Sequence, residues 1–168
     1  MRNNQTLLAS LAFGLIALTV QPVTAAAATP SLTGSWQFTL TPGTTTTPPG
    51  VQIPGLVTFT TDGSAIETDG SEFVPNPSTT PNSVRTPGHG IWQIGATPSS
   101  LYVEYISLEL NPDGSLYAKV VTTMILALNS KGNEFSGSYT TVQEIGTVTT
   151  SLSSGAVSGQ LIPHLALP

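Results

Sequence analysis

The chain has 168 residues, no cysteine and 8% charged residues, with nine Asp and Glu against four Lys and Arg for a net charge of −5. Charge this sparse and this negative excludes the basic surface that nucleic-acid backbones and anionic membranes require. The lack of cysteine excludes a disulfide framework and a lipidated cysteine anchor, so solubility and stability are expected to rest on hydroxyl-rich surfaces and an ordinary packed core.

Residues 1–28 read as a secretory leader: a short polar start with Arg2, an apolar run over residues 7–20, then the small-residue stretch Val-Thr-Ala-Ala-Ala-Ala. That order is the signature of a signal peptide, and the apolar run falls short of the roughly 20 residues a spanning helix needs. Cleavage is expected between Ala25 and Ala28. It would leave residues 29–168 as a single secreted or periplasmic domain with no lipid anchor and no membrane span, long enough for a real core.

Beyond the leader, helical periodicity gives way to β-branched and aromatic runs punctuated by Gly, Pro and Asn/Asp pairs. Eight strands are expected, over residues 33–40, 56–61, 64–68, 89–95, 101–110, 115–128, 134–143 and 147–159. Alternation in the sixth points Leu116, Ala118, Val120, Thr122, Met124, Leu126 and Leu128 inward. The fifth has apolar residues at both parities, which predicts a bulge near Tyr105. Two connectors are long, over residues 41–55 and 69–88, and the rest are short. In an up-and-down order both long loops fall at one end of the barrel, a mouth opposite a closed end. Long loops in compact domains often bind ligands. The expected fold is therefore all-β, an eight-stranded antiparallel up-and-down barrel.

The segment Leu-Thr-Gly-Ser-Trp, with Gly34 and Trp36, resembles the Gly-x-Trp signature of lipocalins and the wider calycin group. The rest of the domain, with "VTFTTDGSAIET", "GHGIWQIG", "LNPDGSLYAKV" and "FSGSYTTV", is similar to a lipocalin-like family of small bacterial proteins. The resemblance implies that Trp36, placed by Gly34, plugs the closed end. It also implies a barrel that holds a small apolar or amphipathic ligand. Gln160 stands where the calycin pattern has a basic residue stacking on the Trp. An avidin-type barrel shares a Gly-Thr-Trp start, but only Trp36 and Trp92 are present for such a site.

The candidate ligand site follows from placing the fourth strand's start at the mouth. His89 and Arg85 are expected at the rim as polar readers of an acidic head group, over an apolar cavity lined by Trp92, Tyr105, Met124, Phe135 and Tyr139. The alternative reading has His89 only tethering a loop, with a core that fills the barrel as a scaffold for Thr- and Pro-rich loops. Catalysis has little support: there is no Gly-x-Ser-x-Gly elbow and no His-rich set for zinc, and neither metal nor cofactor is expected. An isomerase-like pairing of His89 with Glu104 would require both inside the cavity. Glu104, Glu109 and Asp113 are expected on a solvated exterior. An outer-membrane barrel would need an apolar outer band, which the Ser, Thr and Lys face of residues 115–128 opposes.

Overall fold

The computed structural model describes residues 31–43, 51–73, 83–95 and 100–163; the expected leader lies outside them. The strands are β1 (Gly34–Pro42), β2 (Ile53–Phe59), β3 (Ser64–Asp69), β4 (Val84–Arg85), β5 (Gly88–Ile94), β6 (Ser100–Leu110), β7 (Leu116–Leu128), β8 (Glu134–Ile145) and β9 (Val148–Leu161). A single 3₁₀ turn, Gly70–Phe73, follows β3. All pairings are antiparallel, and the ladder closes because β6 pairs with β7 and β1 with β9. Eight strands thus form a complete barrel, as the alternation predicts. The ninth, β4, lies on the edge of β6 beyond β5, at Glu109 and Leu110. Pro87 separates β4 from β5, since proline has no N–H to give to the ladder. Thr86 spans the gap by donating its N–H to the Leu108 carbonyl at 2.9 Å.

Short connections close one end, with Gly63 at φ 88° in the turn that joins β2 to β3. In that turn the Asp62 carboxylate accepts the Ser64 N–H at 3.1 Å. The termini of β1, β2, β3 and β5 that flank the two long connectors lie together at the opposite end, as parity requires.

Trp36 is fully buried at the closed end, where its Nε1 donates to the Leu32 carbonyl at 2.6 Å and its ring lies 5.2 Å from that of Phe135. This is the expected plug. Gln160 faces outward, and it is Leu161 that pairs with Trp36 across the ladder.

Two details of the alternation differ from expectation. Strand β6 keeps strict parity through Tyr105, burying Leu101, Val103, Tyr105, Ser107 and Glu109, and its register shift comes at Glu109/Leu110. The outward parity is apolar because Ile106 and Leu108 remain on the surface, which imitates a phase change in the sequence. Leu116 is exposed rather than inward, because the barrel interior begins only at Ala118.

The interior is filled by aromatic rings laid over glycines. Phe38 pairs across the ladder with Gly55 on one side and Gly159 on the other; Phe135 pairs with Gly159, Tyr139 with Gly155, and Tyr105 with Gly90. A β-carbon at Gly55 would overlap the Phe38 ring, and one at Gly159 the Phe135 ring. Gly55 and Gly159 thus supply the space that the neighbouring ring occupies, as in aromatic rescue of strand glycines, and Gly88 does the same for the Tyr105 ring. A barrel of eight strands is just wide enough for side chains to fill it.

Gly55→Ala is expected to cost about 1–3 kcal/mol in urea denaturation, through overpacking against Phe38. Gly114→Ala, at a turn glycine with φ 81° and nothing within 4 Å of an added β-carbon, carries only the backbone strain of about 1 kcal/mol. Equal costs at the two positions would show that the ring and Gly55 are not in contact.

Candidate functional site

The inward face divides into two zones along the barrel axis. Toward the closed end lie Trp36, Phe59, Leu101, Val103, Met124, Leu126 and Phe135, with Trp92 half-buried against them. Trp92 Nε1 donates to the Thr60 carbonyl at 2.8 Å, and its ring meets Phe59 edge-on at 6.4 Å. Toward the mouth the same face turns polar: Glu67, Asp69, Ser107, Glu109, Thr122, Thr141 and Gln143 are all buried.

This places the expected ligand-lining residues as packed core. Met124, Phe135, Tyr105 and Tyr139 are each at most 4% exposed, and no buried side chain of either zone exceeds 7%. These four residues belong to one contiguous buried apolar cluster rather than to the wall of an open cleft.

His89 starts β5 at the mouth end, as parity requires, but its side chain is exposed on the outer wall. Its neighbours in register are Ile66 and Ile106, both exposed, with Ile91 two residues along its own strand. The inward positions beside it are Gly88 and Gly90. Glu104 also lies on the outer parity, where it accepts a hydrogen bond from Tyr102 Oη at 2.6 Å. His89 and Glu104 therefore form no pair inside the barrel. Asp113 caps an exposed turn, as expected, but Glu109 is inside. Assigning carboxylates outward by residue type misses Glu109; the parity of β6 alone turns it in.

Arg85 holds a loop. Its Nη1 donates to Ser71 Oγ at 2.5 Å, and Ser71 in turn gives its N–H (2.7 Å) and its hydroxyl to the Asp69 carboxylate. At the loop's other end Ser83 Oγ donates to Glu109 Oε1 at 2.6 Å, while Gln143 Nε2 donates to Glu109 Oε2 at 2.6 Å. Both ends of the second long connector are thus tied into the polar zone by charge-assisted bonds. Polar residues at inward parity are the signal that sequence reading passed over, Glu67, Asp69 and Gln143 among them.

Tyr105 stands apart from these bonds. Its phenol lies in the polar zone with Oη buried and without a hydrogen-bond partner. Burial raises its pKa well above the ordinary 10.0, the charges of Glu67 and Asp69 add to the rise, and Thr122 and Arg85 oppose it. Tyr139 avoids this by sharing a hydrogen bond with Ser153 Oγ at 2.8 Å.

A concavity of about 580 Å³ lies elsewhere, on the outside of the barrel, where β7, β8, β9 and β1 run side by side. Gln37, Thr39, Ser136, Ser158 and Gln160 line it, with Asn129 and Glu134 at one end. Among the described residues no group of three or more His, Cys, Asp or Glu could hold a metal ion, and no helix is long and apolar enough to cross a membrane. Compared with protein-family models, curated proteins and solved structures, the chain gives no match.

Tyr105→Phe is expected to leave stability unchanged or raise it by about 1 kcal/mol, because it removes a buried hydroxyl that no group satisfies. Because the folded-state pKa of Tyr105 lies above its unfolded value, its stabilising contribution is complete below pH 10.0 and is lost as pH rises further. The variant's alkaline unfolding midpoint should therefore shift upward. Loss of more than about 1 kcal/mol in the variant would mean that the hydroxyl is paired. His89→Ala, on the exposed wall, should change stability by less than about 0.5 kcal/mol.

Proposed function

We propose that this chain is an exported, non-enzymatic binding module built on a filled lipocalin-like barrel, with recognition carried by its outer wall and loops. The observation that carries this reading is the packing of the inward face. Aromatic rings are seated on Gly55, Gly88 and Gly159, and Met124, Phe135, Tyr105 and Tyr139, residues expected to line a cavity, are each at most 4% exposed. The inward carboxylate Glu109 is engaged by Gln143 and Ser83, in a network that fixes a loop. His89, the sole histidine among the described residues, is outside. That arrangement offers no acid–base pair facing a substrate-sized space. Export rests on the leader-like residues 1–28.

A second reading keeps a small amphipathic ligand inside the mouth, its head group meeting the polar zone. What favours it is the buried Tyr105 hydroxyl beside the charges of Glu67 and Asp69. The ligand would have to part side chains that now touch.

Native mass spectrometry of the protein purified from its own host separates the two. The filled barrel predicts the bare mass of a chain whose first residue lies between Ala26 and Thr29. A stoichiometric apolar or amphipathic molecule that survives purification would overturn it, and an uncleaved leader would overturn export.

A further inference from the structure

The barrel exterior is chemically lopsided. On β1, β8 and β9 the outward positions carry Gln37, Thr39, Ser136, Ser138, Ser158 and Gln160, and the exposed large aliphatic residues of those strands, Ile145 and Val148, stand only at the turn between β8 and β9. On β2, β3, β5 and β6 the outward positions carry Leu56, Ile66, Ile91, Ile106 and Leu108, each between 37% and 52% exposed. A strand with one solvated face normally turns polar residues outward, so this wall breaks the rule that the opposite wall obeys.

Register joins these residues into one strip. Ile66, His89 and Ile106 are successive cross-strand partners, with Ile91 two residues beyond His89 on β5 and Leu108 two beyond Ile106 on β6. Toward the mouth the strip continues at Leu110, whose partners Val84 and Leu116 are 60% and 61% exposed. Leu56 is paired with Thr68 and so lies diagonal to Ile66, at the roughly 7–8 Å over which long side chains still meet. Charged groups stand at the edges and are engaged there: Glu104 accepts from Tyr102 Oη, and Lys119 is paired with Glu144 at 2.6 Å.

Area and composition select the occupant. The exposed aliphatic residues of the strip present roughly 600 Å² between them, at the top of the roughly 300–600 Å² that the largest apolar patch of a monomer reaches. A standard interface takes about 800 Å² from each partner, and about 65% of a homodimer interface is apolar, so one face needs about 500 Å² of apolar surface. The strip supplies it. Faces for dissociable, unrelated partners are no more apolar than ordinary surface, whereas a centre without Lys, Arg, Asp or Glu has the composition of a face that meets its own copy. A lipid surface would be gripped by Trp or Phe beside free Lys or Arg; the strip has neither ring, and Lys119 is committed to Glu144. With one apolar wall per barrel, two copies cover each other and leave nothing for a third, which closes the assembly at a pair.

We propose that this wall is the contact face of a two-fold symmetric homodimer, in which the β3, β5 and β6 strips of two barrels pack against each other. The proposal rests on the reading that recognition belongs to the outer wall.

The test is sedimentation velocity, with native mass spectrometry of the same samples, on protein purified from its own host at about 1–100 μM. A dimer is expected, with Kd in the micromolar range or below. Ile106→Lys should raise that Kd by roughly a hundredfold or more, because the substitution enters a two-fold interface twice. Ile66→Lys should do the same, and far-UV circular dichroism identifies whichever variant keeps the fold. Ser158→Lys, on the opposite wall, should leave the dimer unchanged. A bare monomer over the whole range would overturn the dimer and leave the filled barrel standing, as would a dimer that Ser158→Lys breaks and the two isoleucine variants do not. A monomer that floats with phosphatidylcholine vesicles, and loses them on Ile106→Lys, would give the wall to a lipid surface and overturn the pairing. A monomer carrying a stoichiometric small molecule would overturn both the pairing and the filled barrel.

Discussion

The close approach of aromatic rings to glycine backbone is the contact on which the rest of the structure depends. Phe38 can take its place only because its ladder partner Gly55 has no side chain, since a β-carbon there would fall within the ring. Phe135 uses Gly159 from the next strand over in the same way. An eight-stranded barrel offers an interior of about one side-chain layer, and these rings use it up. The result is one buried apolar cluster, worth about 1.5–3 kcal/mol for each large apolar side chain fully buried. Such a barrel is a rigid wall with a solid centre.

The polar zone at the mouth has a different purpose from the apolar one below it. Buried carboxylates are costly unless each is hydrogen-bonded, and here Asp69 and Glu109 accept from Ser71, Ser83 and Gln143. Those donors belong to the ends of the long connector and to β8. The desolvation cost is offset by bonds that also determine where the connector leaves and rejoins the barrel. Arg85 completes the arrangement through Ser71, which explains why one of the few basic residues of the chain stands at this point. Tyr105, whose hydroxyl has no partner, marks a place where the network is incomplete.

The architecture was legible because strand alternation, turn residues and loop lengths are local signals. Eight strands and the common end of the two long connectors follow from them directly, whereas the place of Trp36 was implied by the resemblance that Gly34 and Trp36 carry. The site was less legible, since residue type misled where parity did not. His89 between two glycines resembles a placed functional group, yet odd positions on β5 face out, among Ile66, Ile91 and Ile106. Glu109 resembles a surface carboxylate, yet its parity matches that of Val103 and Tyr105. Ile106 and Leu108 suggested a bulge near Tyr105, whereas the register shift comes at Glu109/Leu110, because an exposed aliphatic residue on a strand carries no label of its face. The pairing of glycine with aromatic was present in the sequence but becomes readable only with the register, because the partners lie on different strands. The outer groove was invisible for the same reason: Gln37 and Gln160 are 123 positions apart in the chain and adjacent in the sheet.

The central claim is that the barrel has no hollow, and xenon reports hollows directly because dry apolar cavities bind it. Diffraction from xenon-pressurised crystals, or xenon-dependent methyl shifts in solution, should show no xenon among Phe38, Val120, Met124 and Tyr139. Xenon bound on the barrel axis between those side chains would contradict the account.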